Sequence, residues 1–156
     1  MQKKKCSCID KYIALKDIIT LMSNAQEPYN NMSVQYIEGM IIPPIELNQF
    51  KIFYKNKKPV GYTTWAFWNK EAEEKLINDT EYFTKSDWKN GKTLWYIDTV
   101  CVDISPLQLH RWTQKYLTKI IGKGKKVYWI RLNEDGSLKR LGWGISHWYG
   151  CSKKSI

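Results

Sequence analysis

Residues 93–132 read TLWYIDTVCVDISPLQLHRWTQKYLTKIIGKGKKVYWIRL, and this stretch decides the fold. Thr93 to Val102 is rich in β-branched and aromatic residues and almost continuously apolar, as a central strand buried on both faces would be. Pro106 then opens a helix whose apolar face is Leu109, Trp112, Tyr116, Leu117 and Ile120, and Gly122 ends it. Lys126 to Leu132 returns to strand composition. Strand, helix and strand in this order build one layer of sheet with a helix packed against it.

Working outward, the flanks add a hairpin and three more helices. Phe50–Tyr54 and Val60–Phe67 alternate as strands around the turn Lys55-Asn56-Lys57-Lys58. Residues 9–23 place Ile9, Tyr12, Ile13, Ile18, Ile19 and Met22 at helical spacing with one wide apolar face. Pro28 with Asn30 and Asn31 marks a break, and residues 32–42 form a short helix that Pro43-Pro44 should end. Asn69 is a good N-cap, with Glu71, Glu73 and Glu74 in the first turns of a helix expected to reach about residue 83. Asn90-Gly91 and Glu134-Asp135-Gly136 are turns, and the tail with Trp143, Trp148 and Tyr149 is either irregular or a last strand. The expected fold class is α/β: one domain over residues 1–156, with a mixed central sheet flanked by helices.

No apolar run approaches the roughly 18 residues of a membrane span. The basic start MQKKKCSCIDKYIALKDIITLM is interrupted by Asp10, Lys11, Lys16 and Asp17 and lacks a small-residue cleavage site, so no signal peptide is read and a cytoplasmic location is expected. Four cysteines at 6, 8, 101 and 151 and two histidines at 110 and 147 fall short of a zinc-ligand pattern, so no metal and reduced thiols are expected. The net charge of +10 is unevenly placed, with no acid between Asp103 and Glu134 but Arg111, Lys115, Lys119, Lys123, Lys125, Lys126 and Arg131 falling there. Such a field attracts an acidic protein, an anionic membrane or nucleic acid. No nucleic-acid recognition motif accompanies it, and nucleic acid is not the expected partner.

Walker, dinucleotide-binding, nucleophile-elbow and metalloprotease signatures are absent. Gly122-Lys123-Gly124 could offer amides to a phosphate, but a helix C-cap explains it better. The unusual residue is Asp98 within Trp95-Tyr96-Ile97-Asp98-Thr99-Val100, because an ionised carboxylate is costly to bury among aromatic and β-branched side chains. Either it ends the strand and caps the next loop, or it serves a site as an orienting or proton-accepting group. His110 and His147 are the available imidazoles, each more ordinary as a surface or packing residue.

Several motifs at fixed separations then coincide. Asn48-Gln49-Phe50, Pro59-Val60-Gly61-Tyr62-x-x-Trp65-Ala66, Leu76-Ile77-Asn78-Asp79, Asp87-Trp88-x-x-Gly91 and Trp95-Tyr96-Ile97-Asp98 resemble, at equal spacing, the toxin-activating lysine acyltransferases. The resemblance covers about residues 22–100 and fades through the last third. It implies an acetyltransferase-like fold and a dimeric enzyme. Such an enzyme takes a fatty acyl group from acyl carrier protein and places it on a lysine ε-amine of a protein toxin, in the cytoplasm and before export. No bound cofactor is implied, and the basic surface gains a partner in the acidic acyl carrier protein. Asp98 falls on the family's catalytic aspartate, whereas the family's catalytic histidine falls on Tyr29.

The resulting site comprises Asp98 as base or orienter, Tyr29 as acid or hydrogen-bond donor, and Thr63, Thr64, Trp65 and Trp95 as substrate-positioning residues. The acceptor is a toxin or bacteriocin precursor. A variant reading follows from the lost histidine: a microcin-maturation subunit that, in a hetero-complex with a second protein, helps attach a siderophore to a peptide C-terminus. Another alternative is a non-catalytic subunit that holds a precursor peptide.

Overall fold

The computed structural model describes residues 8–26, 28–78, 83–133 and 138–146. His147, the turn at 134–136, Asp79, Cys6, Cys151 and the aromatic residues Trp148 and Tyr149 lie outside the described residues. The chain runs α1 (Cys8–Ser23), a 3-10 turn (Tyr29–Asn31), α2 (Val34–Tyr36), a π-helical turn (Ile37–Ile41), α3 (Ile42–Leu47), β1 (Phe50–Lys55), β2 (Lys58–Trp68), α4 (Lys70–Ile77), β3 (Thr93–Cys101), α5 (Pro106–Ile121), β4 (Lys126–Leu132) and β5 (Leu138–Ile145).

The five strands form one mixed sheet in chain order. β1, β2 and β3 are antiparallel neighbours, β3 and β4 are parallel across the α5 crossover, and β5 returns antiparallel to β4. The β1–β2 turn has Asn56 and Lys57 both at positive φ, the geometry that matches strand twist in a two-residue hairpin. The tail thus contributes a last strand, with Trp143 paired to Tyr128. The β3–β4 ladder is short, pairing only Leu94, Trp95 and Tyr96 with Val127, Tyr128 and Trp129.

Helix α5 forms as expected. Ser105 caps it by accepting from the Gln108 amide, Pro106 sits in the first turn and Gly122, at φ 86°, ends it. Leu109, Thr113 and Leu117 are its buried stripe, while Ile120 is half exposed. It packs against one face of the sheet, where Trp65, Leu94 and Leu117 form a core and Trp65 meets Tyr116. Fully burying a leucine such as Leu109 contributes about 1.5–3 kcal/mol. The opposite face is covered by α1 and α2–α3 over Tyr62 and Val100, and by α4 with Trp88 over Ala66, Trp68 and Trp95.

Three expectations are corrected. The helix over 32–42 does not end at Pro43-Pro44: both prolines sit in the first turn of α3, directly after the π turn, where a missing amide hydrogen costs little. Asn48, at φ 56°, is the true C-cap. Helix α4 stops at Ile77 rather than near 83, with Asn78 as its cap. In α1 the face turned to the sheet is Ala14, Ile18, Leu21 and Met22, whereas Tyr12, Ile13 and Ile19 look outward, so apolar spacing overstated the buried width.

Candidate active site

β3 carries a bulge that aims the site. Thr63 stands opposite Thr99 and Trp65 opposite Tyr96, so Thr64 alone faces both Ile97 and Asp98. The extra residue shifts the alternation of side chains, and Asp98 and Val100 turn to the same face as Trp95 and Ile97. The Asp98 amide, displaced from the regular ladder, donates to Thr64 Oγ1 at 3.1 Å. Asp98 neither ends the strand nor caps a loop. It sits inside β3, 4% exposed.

Two phenols hold the carboxylate. Tyr36, on α2, donates a shared hydrogen bond to Oδ1 at 2.7 Å and Oδ2 at 2.8 Å, and Tyr29, in the 3-10 turn, donates to Oδ1 at 3.2 Å. Ser33 fixes α2 by accepting from the Tyr36 amide, which sets the phenol's direction. Burial raises the Asp98 carboxyl to about 6, the bonds from Tyr36 and Tyr29 pulling the other way. The phenols move in the opposite sense to a base: burial first, then the neighbouring Asp98 charge, hold Tyr29 and Tyr36 well above the ordinary phenol range. Tyr62, buried on β2, is raised by the same two causes. The cluster therefore offers one carboxylate able to accept a proton near neutral pH, and two phenols that stay protonated and serve it as hydrogen-bond donors rather than as bases.

Asp98 and Tyr29, sixty-nine positions apart, are thus brought together. Thr64 joins them through the Asp98 amide. Thr63 is fully buried on the α5 face, Trp65 packs under α5, and Trp95 stacks on Tyr128 with its indole donating to Glu73 at 2.9 Å. The two tryptophans are part of the core on opposite faces of the sheet. Tyr36 was missed by sequence reading. Its one signal is that a buried carboxylate needs several donors, and the 29–36 segment holds a second phenol. His110 lies half-buried in α5, its basicity lowered first by burial and then by the charge of Arg131.

The other shared motifs frame this site. Gln49 donates to the Trp88 carbonyl and accepts from the Trp65 amide through its own carbonyl. Trp88 donates to the Gly39 carbonyl, tying the π turn to the 84–91 loop. A Cβ on Gly91 would lie 1.7 Å from the Trp68 carbonyl, so only glycine lets that loop close on β2. Asp87 gathers Lys75 and Thr84.

Among the described residues no cluster of metal-ligating side chains occurs, and no helix is long and apolar enough to cross a membrane. Cys8 and Cys101 are free thiols, and burial raises the Cys101 thiol.

The architecture is that of acetyltransferase-like proteins. The loading GNATL domain of CurA from Lyngbya majuscula superposes with a TM-score of 0.50 at 16% identity, over 77% of this chain and 61% of that one. Within that class the chain belongs to the RTX toxin acyltransferase family, HlyC, which it matches over residues 8–141. It is 33% identical over 92 residues to the protein-lysine myristoyltransferase RtxC of Kingella kingae, covering 59% of this chain and 54% of that protein. It is 31% identical over 111 residues to the leukotoxin-activating lysine-acyltransferase LktC serotype A1 of Mannheimia haemolytica, covering 70% and 66%. The match thus spans between half and two-thirds of the length of these relatives.

Proposed function

We propose that this chain is a protein acyltransferase. On this reading it moves an acyl group from a carrier-protein thioester to a lysine ε-amine of a bacterial toxin or bacteriocin precursor, in the cytoplasm and before export. The single observation that carries the reading is Asp98: a buried carboxylate, pinned by two phenols, whose pKa of about 6 leaves it ionised and basic at neutral pH. A lysine ε-ammonium must lose a proton before its nitrogen can attack, and on this reading Asp98 accepts it. The amine nitrogen then bonds to the thioester carbonyl carbon, the C–S bond breaks, and the proton passes to the departing thiolate. Tyr29, whose single hydrogen rests on Asp98 Oδ1 at 3.2 Å, can turn it to the carbonyl oxygen as negative charge develops there, once Asp98 has taken the lysine proton. The histidine that the family resemblance led one to expect is thus replaced by a donor rather than by a second base.

The charge distribution supports an acidic donor. Arg111, Lys115 and Lys119 repeat every fourth residue along α5 and are all exposed. Such a stripe steers an acidic carrier protein and sets its approach.

The test is to incubate the purified protein with acyl-acyl carrier protein and co-expressed precursors, then locate modified lysines by mass spectrometry. The reading expects acylated lysine with the wild type and none with Asp98→Asn. Equal modification by both would remove Asp98 from the chemistry, and no modification from any acyl donor would contradict the acyltransferase reading.

A further inference from the structure

β5 closes one side of the sheet, with β4 its one strand neighbour among the described residues, and every other residue turns its amide and carbonyl outward. Proteins blunt such edges with charges, prolines, bulges or very short strands. The stretch Leu141-Gly142-Trp143-Gly144-Ile145 uses none of these. Leu141, Trp143 and Ile145 stand on one face of the strand and are 50%, 61% and 48% exposed. That face is the one to which Asp98 turns. Trp143 is paired with Tyr128, Tyr128 stacks on Trp95, and Trp95 shares the Asp98 side of β3. Helices α1–α4 cover Tyr62, Trp68 and Trp95 on this side, while the three β5 side chains beyond them stay open.

The charge along this edge has one sign. Lys126 and Arg131 of β4 and Lys139 and Arg140 of β5 are all exposed, and the described residues of the two strands include no acid. Arg131 and Arg140 stand directly opposite each other on the Trp129 side, an unfavourable pairing until an anion joins them. The ion pairs Lys75–Asp87 and Lys85–Glu46 lie elsewhere. On the other side Lys126 Nζ sits 4.8 Å from the Tyr128 ring centre and 4.7 Å from that of Trp143, which steadies the exposed indole. Gly142 and Gly144 lie against Trp129, where an added Cβ would come within 2.4 Å and 3.2 Å of the indole, so β5 puts no side chain of its own there. The edge is therefore apolar on one face and cationic on the other. A second copy suits it badly, because a two-fold pairing through β5 would set one basic hairpin beside another.

Resting on the acyltransferase reading, we propose that β5 is the docking edge for the protein acceptor, a segment of which adds to it as a further strand with alternating apolar and acidic residues. Main-chain hydrogen bonds along the outer edge hold the segment. Its apolar side chains lie beside Leu141, Trp143 and Ile145, and its carboxylates face Arg140 and Arg131. At a strand spacing of about 4.8 Å the added strand lies roughly 14 Å from β3, a gap that about four extended residues span. The docked segment thus flanks the acceptor lysine rather than containing it, and the chain between them crosses the open face toward Asp98.

The experiment measures docking separately from chemistry. A peptide of about nine residues, alternating valine or isoleucine with glutamate, is titrated into the full chain by calorimetry and followed by amide hydrogen exchange. The proposal expects saturable binding and slowed exchange at the outward β5 amides, which exchange freely without peptide. The same peptide with lysine for glutamate, or with a central proline, should bind at least about tenfold more weakly. Arg140→Glu should weaken the glutamate peptide and favour the lysine one, a reversal that a folding defect cannot produce. Trp143→Ser should weaken the glutamate peptide about tenfold. Outward β5 amides already protected in the free chain, whether by a second copy or by residues 147–156, overturn the assignment. So does binding indifferent to the proline or to the charge swap, or an oligothymidylate that displaces the peptide at equal concentration. A version with a lysine about five residues beyond the docking segment is then offered with acyl-acyl carrier protein. A peptide that docks as expected and is acylated from no donor contradicts the acyltransferase reading while leaving the edge in place.

Discussion

The two faces of β3 carry polar groups of opposite character. On the side of α1 and α2, the Asp98 carboxylate is buried and receives hydrogen bonds from both Tyr29 and Tyr36. On the α5 side, two residues earlier, the hydroxyl of partly buried Tyr96 lies among threonine hydroxyls without reaching bonding geometry. One arrangement is complete before any ligand arrives and serves to fix a protonation state. The other leaves its hydroxyls out of bonding geometry and fixes no charge. One extra residue, Ile97 or Asp98 opposite Thr64, lets a single strand present both.

The widest separation between the faces should appear in turnover. Asp98→Asn keeps the shape and an acceptor for both phenols but cannot take a proton, so acyl transfer should fall about a hundredfold to ten-thousandfold in a single-turnover assay. Tyr96→Phe should leave the chemical step within a few fold.

Stability should move the other way. The folded-state pKa of Asp98 is raised, so the favourable contribution of its neutral form is fully present below the unfolded carboxyl's range and is lost as pH rises through about 6. Asp98→Asn should therefore raise the free energy of unfolding at pH 8 by up to about 3 kcal/mol, seen as a higher urea midpoint, and the gain should vanish near pH 3. Urea unfolding across that range checks both size and sign.

A smaller contrast separates the phenols. Tyr36→Phe withdraws a bond to a buried charge and should cost about 1.5–3 kcal/mol at pH 8. Tyr96→Phe removes an unpaired hydroxyl and should be neutral or stabilising by about 1 kcal/mol, as should Thr113→Val. If both tyrosine replacements destabilise equally, the distinction between the two faces is lost.

Much of the frame was legible because its causes are local. The β3–α5–β4 unit announces itself through Pro106, Gly122 and a buried stripe at helical spacing, and the β1–β2 hairpin through Asn56-Lys57. Asp98 stood out because a carboxylate in an apolar strand needs an explanation, and Tyr29 was reached through the resemblance alone. What stayed hidden depends on distant packing. The π turn that carries the helix past Pro43-Pro44 has no local signature, and Tyr36 becomes a partner of Asp98 only through that helix's placement. Trp65, on the strand leading to the site, and Trp95, in the Asp98 motif, were site candidates, yet alternation along the strands buries them in separate cores. Pairing of Gly142 and Gly144 with one tryptophan depends on β4–β5 register, which sequence did not fix.

The most direct test is the pH dependence of single-turnover acyl transfer in the wild type and in Tyr36→Phe. The acid limb of the wild type should fall near pH 6, where Asp98 gains its proton, and losing the Tyr36 bond should move that limb upward. A limb in the ordinary carboxylate range near pH 4, or one that Tyr36→Phe leaves in place, would contradict the assignment of the proton to Asp98.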